Sequence, residues 1–246
     1  MHFGIIAAGK GSRLKSEGHS LPKPLVELDG IPMIGRLIRV MEECSAESLS
    51  VIINEDTPEV KEYLDNLKTS MPLHLIVKST PSSLHSLYEL SKIGLGAKGR
   101  FIATTVDSIF LQPEFKRYAD AFTNAPEEID GLMGVTTYID DEKPLYVETS
   151  GEGEILAFRD SVWPQAHYVS GGIYGLGPAA VKVLEGCVEE GVMRMRNFQR
   201  ALLASGLRLK AWEFTKIIDV DRLSDLSSAN SWLAQTADIN TTQHPL

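Results

Sequence analysis

Apolar and polar positions follow two rhythms along the first half of the chain. Short apolar runs at Phe3–Ala8, Leu49–Ile53, Leu73–Val77 and Phe101–Val106 predict strands. Between them, apolar positions recur at helical spacing: Ile34, Leu37, Ile38 and Met41, then Val60, Tyr63, Leu64 and Leu67, then Leu84, Leu87 and Tyr88. Gly30 and Pro32 precede the first helix. Thr57 stands as a candidate N-cap of the second, with Pro58 at its first position. Strand and helix alternating in this way predict an α/β fold, a mainly parallel sheet with helices on both faces. Such sheets bind ligands beyond the carboxyl ends of their strands.

The rhythm changes after about residue 125. Leu132–Tyr138, Tyr146–Thr149, Ile155–Arg159 and His167–Leu176 read as short strands, with Glu152-Gly153 as a hairpin turn. Two helices follow over 178–190 and 194–205. Strands at Leu207–Phe214 and Ile217–Val220 come next, then a helix carrying Leu223, Leu226 and Leu233. We therefore expect one domain over 1–234, with halves 1–125 and 126–234, the second β-rich. The polar stretch 235–246 is expected to fray.

Composition narrows the classes. The chain has 246 residues, 43% of them hydrophobic and 23% charged, which suits a globular protein with a real core. Its net charge of −9, with no long basic run, argues against nucleic acid or an anionic membrane as partner. The 2 cysteines, Cys44 and Cys187, have no metal-ligand spacing and are too few for a disulfide framework. No apolar run approaches the roughly 18 residues of a membrane span. Nothing ahead of the first strand reads as a signal peptide, so the expected location is the cytoplasm.

Against the acidic background, Lys10, Arg13, Lys15 and Lys23 gather in one segment. Gly9 and Gly11 follow the first strand, and Ser12 follows them. Glycines there let backbone N–H groups approach an anion, and the cations supply charge. The loop is not a dinucleotide fingerprint, because Leu14 occupies the third glycine's place, nor a Walker loop, because Gly11 follows Lys10. Asp107 ends the fourth parallel strand and is a candidate Mg²⁺ ligand. Strand period puts Asp219 and Asp221 on one face, as candidates for the second ligand. Asp225 reads as a solvated helical residue. Nothing resembles a Ser–His–Asp or Cys–His nucleophile arrangement.

Ala7-Ala8-Gly9-Lys10-Gly11-Ser12-Arg13 followed by Pro22-Lys23-Pro24-Leu25 resembles the two-part signature of the nucleotidyltransferases that activate sugar 1-phosphates and related phosphates. The resemblance runs through most of the chain. It implies the Rossmann-like, mixed sheet of nucleotide-diphospho-sugar transferases, with residues 1–125 binding nucleotide and 126–234 binding acceptor. It implies a nucleoside triphosphate and a small phosphorylated acceptor as partners, Mg²⁺ as cofactor, and pyrophosphate as product. Arg13 would hold the triphosphate, and Lys23 would bridge acceptor and α-phosphate. Ala7 through Arg13, with Ser82 and Ser83, would bind nucleotide. Gly171 and Gly172 would approach the acceptor. Asp107, Asp219 and Asp221 would hold the metal. The chain departs from the family pattern in three places: Val106 replaces a glycine, Ser82-Ser83-Leu84 replaces Gly-Thr-Ala, and Ser170-Gly171 replaces Asn-Ala.

A sugar 1-phosphate is the leading acceptor. A phosphocholine-like alcohol phosphate is the alternative, with Tyr138, Tyr146, Trp163 and Trp212 as candidates for a cation cage. Acidic residues around such aromatics would favour it. Asp219-Val220-Asp221 also matches a glycosyltransferase Asp-x-Asp motif, and a non-catalytic nucleotide-binding domain is a further alternative. Lys216 is either a phosphate ligand or solvated.

Overall fold

The computed structural model describes residues 1–93 and 99–242, with side chains to residue 236. Its central sheet has nine strands. β1 (His2–Ala7) lies at the centre of a parallel group, flanked by β4 (Ser48–Ile53) and β6 (Phe101–Thr105), with β5 (Leu73–Val77) beyond β4. β11 (Tyr168–Leu176) runs antiparallel against β6 and extends the sheet through β9 (Tyr146–Thr149) to β10 (Ile155–Arg159). β8 (Gly131–Thr136) also pairs with β11 and carries β12 (Leu209–Phe214) parallel to itself. The sheet is thus mixed and mainly parallel around the glycine loop.

Every residue of β1 is buried, as a strand covered on both faces requires. Phe3, Ile5 and Ala7 face one core, and Ile6 faces the other with Ala8. The first core is closed by α2 (Met33–Glu43), α3 (Pro58–Asp65), α5 (Gln112–Thr123) and α8 (Leu223–Thr242). The second is closed by α4 (Ser83–Ser91), α6 (Pro178–Glu189) and α7 (Met195–Ala204). The loop helix α1 (Ser12–Ser16) and the ribbon of β2 (Glu27–Leu28) with β3 (Ile31–Pro32) complete the first half.

Three expectations need correction. The strand reading stopped at Asp107 and passed over α5, although Phe115, Tyr118, Ala119 and Phe122 recur at helical spacing. These four side chains are buried, and Phe115 stacks on Phe110 with ring centroids 4.9 Å apart. Thr57 does sit at the start of α3, but its hydroxyl donates back to the Asn54 carbonyl instead of capping the helix. Helical backbone continues past Gln235 to Thr242, within the stretch expected to fray, and residues 243–246 of that stretch lie outside the described residues. Asp225 is no idle surface residue: its Oδ2 accepts from the backbone N–H groups of Asp221 and Arg222, closing the start of α8 like the return arm of a capping box. The turn at Glu152-Gly153 stands, with Gly153 at φ +77°.

A small ribbon matters most for the site. β7 (Ser108–Ile109) pairs antiparallel with β13 (Ile218–Asp219), setting Ser108 opposite Asp219. The Val220 N–H donates to the Asp107 carbonyl at 3.1 Å, so backbone pairing draws both acidic segments together.

Candidate active site

The cleft lies beyond the carboxyl ends of β1, β4 and β6. Gly11 has φ +57°, a left-handed conformation that opens α1, and a Cβ there would stand 2.8 Å from the Lys23 Cβ. Glycine therefore lets Lys23 reach the cleft, held by a one-turn 3₁₀ segment, Lys23–Leu25, stiffened by Pro22 before it and Pro24 within it.

Lys23 Nζ donates to Asp107 Oδ2 and to Asp221 Oδ1, each at 2.5 Å. Arg13 Nη1 donates to the other Asp221 oxygen, Oδ2, at 2.5 Å. Three segments far apart in sequence thus converge in one ion network. Burial works against the Lys23 charge, but Asp107 and Asp221 outweigh it and hold its pKa above the ordinary lysine value. Burial also opposes the Asp107 charge, and there the Lys23 ammonium wins, keeping the carboxyl below its usual range. Asp219 differs. The residue is exposed at the end of β13, yet loss of solvation in the cleft, followed by the neighbouring charges of Asp107 and Asp221, pushes its pKa above the usual value. Its Oδ1 accepts only a long bond, 3.3 Å, from Ser108 Oγ.

Two cavities meet at this network. The larger, about 710 Å³, is lined by Ala8, the Gly9–Arg13 loop, Lys23, Asp107 and the segment from Ser79 to Ser83. All predicted nucleotide-binding residues except Ala7 border it; Ala7 is buried in the first core. Asn54, Asp56, Ser79, Thr80 and Ser86 also line it and escaped the sequence reading. Asn54 explains itself structurally, since it donates to the Ala8 carbonyl and accepts from Ser79 Oγ, bracing the loop's base. Ser82 sits at the N-terminus of α4 without capping it; its hydroxyl pairs with His85 Nδ1.

The smaller cavity, about 220 Å³, lies over β11 and β13. Gly171 lines it, and a Cβ there would stand 2.2 Å from Ile217 Cδ1. Gly172 does not line it. With φ +74° in the register break between β11 and β8, it packs against the hydroxyls of Ser108 and Thr105. Its glycine serves the bulge rather than a ligand. The wall is acidic: Asp140, Asp141, Glu142, Asp219, Asp221 and Asp225 face Arg13 and Arg222. The run Asp140-Asp141-Glu142 was visible in sequence as a block of charge. Three of the four aromatics considered for a cation cage, Tyr138, Trp163 and Trp212, are engaged by the protein's own side chains. Lys216 lies 3.9 Å from the Tyr138 ring centroid and 5.5 Å from that of Trp232. Arg159 covers Trp163 at 4.5 Å, and Trp212 packs edge-on against Tyr118 at 6.3 Å.

Among the described residues, no three histidine, cysteine or carboxylate side chains converge into a ready-made metal cage. The donor set nevertheless suits a hard ion that keeps water and substrate oxygens as ligands. Asp107 Oδ1 is buried without a hydrogen-bond partner, and Asp219 stands next to it in the ribbon. Among the described residues, no helix is long and apolar enough to cross a membrane.

Comparison with known proteins bears on the fold and the family. The inositol-1-phosphate CTP transferase of T. maritima superposes with a TM-score of 0.76 at 17% identity, covering 94% of each chain. A 2-aminoethylphosphonate cytidylyltransferase from Lancefieldella rimae is 32% identical over 76 residues, 31% of this chain and 29% of that one. The bifunctional protein GlmU of Geotalea daltonii is 36% identical over 59 residues, 24% of this chain and 12% of GlmU. These two relatives are thus matched over less than a third of their length. Residues 4–171 match the MobA-like NTP transferase domain, so with most of its length accounted for, the chain belongs to that nucleotidyltransferase family.

Proposed function

We propose that the chain transfers a nucleoside monophosphate from a nucleoside triphosphate to a phosphorylated acceptor, releasing pyrophosphate. The observation that carries this reading is the junction of two cavities at Lys23, Arg13 and the carboxylates. The larger cavity would take the triphosphate, with the Gly9–Arg13 backbone and Arg13 along its phosphates. The smaller would take the acceptor. Lys23 stands where the α-phosphate and the acceptor phosphate must approach. Two unit charges about 4 Å apart repel by ~4 kcal/mol at an effective dielectric of 20, so a buried ammonium there lowers the barrier. The acceptor oxygen is already anionic and needs no general base. Asp107 and Asp219 would hold Mg²⁺. When bound, that ion supplies charge neutralisation and activation of the α-phosphate.

Residues 1–234 form the catalytic unit in this reading, with a nucleotide half and an acceptor half. Two free cysteines suit a reducing cytoplasm. A sugar 1-phosphate is the first acceptor to test. The acid-rich wall favours a second reading, an alcohol phosphate bearing an amine, whose cation would sit among Asp140, Asp141 and Glu142 beside Tyr138. A pyrophosphate-release screen separates them, crossing four nucleoside triphosphates with sugar 1-phosphates and aminoalkyl phosphates in Mg²⁺. No release with any pair would overturn nucleotidyl transfer.

A further inference from the structure

The two cavities share just two of their lining side chains, Arg13 and Asp221, and these two are ion-paired. The pair therefore stands on the boundary that acceptor and α-phosphate must cross to meet. Asp221 gives one oxygen to each cation: Oδ1 to Lys23 and Oδ2 to Arg13. Both cations are phosphate binders in the reading above, on which this inference rests. Their exposures differ. The Lys23 side chain is 7% exposed, whereas Arg13 is 50% and Asp221 38% exposed. A buried ammonium always needs a counter-charge, while a half-exposed pair exchanges partners at little cost.

The geometry points to Asp221 as a placeholder for phosphate, a positioning residue rather than a metal ligand. In this structure it holds Lys23 and Arg13 together across the cavity boundary. Arriving phosphate oxygens take over the two cations and displace the carboxylate. Asp107 stays on Lys23 throughout, because its Oδ2 makes that bond while its Oδ1 remains free. The backbone around Asp221 is fixed by the bond from its N–H to Asp225 Oδ2, so the motion is confined to the side chain. Binding of the triphosphate then opens the boundary for the acceptor.

Calorimetric titration of the full chain with pyrophosphate in EDTA tests this without metal or turnover. A competing carboxylate lowers apparent anion affinity by the fraction of sites it occupies. Asp221→Asn is expected to bind pyrophosphate roughly three- to tenfold more tightly than wild type. Asp219→Asn changes a neighbouring carboxyl in the same way without touching either cation, and its gain is expected to be smaller. If Asp221→Asn binds no more tightly than wild type, or gains no more than Asp219→Asn, the placeholder role is overturned. Asp221→Ser carries the same comparison if the amide variant does not melt cooperatively. Wild type that binds neither pyrophosphate in EDTA nor any nucleoside triphosphate in Mg²⁺ would overturn the phosphate site itself, and the placeholder with it.

Discussion

In the proposed reaction, Lys23 concentrates the chemistry of this cleft in one atom. Its ammonium is buried, doubly paired, and borders the larger cavity beside the shared Asp221. Lys23→Ala is expected to lower turnover by about 10²-fold or more, the usual scale for a lost electrostatic stabiliser, while the melting curve stays cooperative. Near-normal turnover would remove Lys23 from the mechanism. Asp219 offers a stability test of the opposite kind. Its pKa in the fold is raised by loss of solvation and then by the charges of Asp107 and Asp221, above its unfolded value. Stability therefore falls as pH rises from about 4 through the raised value, because the native state gives up its proton later than the unfolded chain. Asp219→Asn is expected to raise the metal-free Tm at neutral pH. Discounted for solvent screening, the gain is about 1 kcal/mol or less, or up to roughly 2–4 °C. It should shrink on acidification, while turnover collapses. A lower Tm at neutral pH would contradict the assigned shift.

At the scale of elements, the cleft depends on where backbone passes close to backbone or side chain. Gly11 is one such place, and Gly11→Ala would set a methyl against Lys23 in a left-handed turn. We expect a loss of roughly 1–2 kcal/mol of stability and a weakened Km for triphosphate, read by melting and by steady-state kinetics. Gly172→Ala would drive a Cβ to 2.4 Å from Ser108 Oγ, and should disturb the β7–β13 ribbon and with it Asp219. The glycine loop, the parallel strands and the acidic strand ends were legible because each is written in a few adjacent residues. The ribbon was not, since Ser108 and Asp219 pair across 111 residues and each strand has only two. Helix α5 was legible from Phe115, Tyr118, Ala119 and Phe122, and was obscured by the apolar run before it. The fate of Tyr138 was hidden for a different reason. A sequence shows an aromatic ring but not which cation settles on it, and here the protein's own Lys216 does.

For the whole molecule, α8 ties the last acidic segment to the first core. Ala229 is fully buried, and Leu226, Trp232 and Leu233 pack against that core. A chain stopped at Arg222 is expected to lose cooperative melting, since several apolar side chains worth about 1.5–3 kcal/mol each when fully buried would be missing. An unchanged melting curve would show that α8 is an accessory. The ion network has a further consequence for how the protein comes into being. Lys23 and Asp221 are separated by 198 residues, and Arg13 and Asp221 by 208. Such pairs close among the largest loops the chain allows, so they form late in folding. During synthesis the cations leave the ribosome long before their shared carboxylate. A nascent chain that has emerged only through β11 already holds the glycine loop and Lys23 but lacks the segment that completes the cleft. In the proposed reading, competence for transfer waits for β13 to dock on β7.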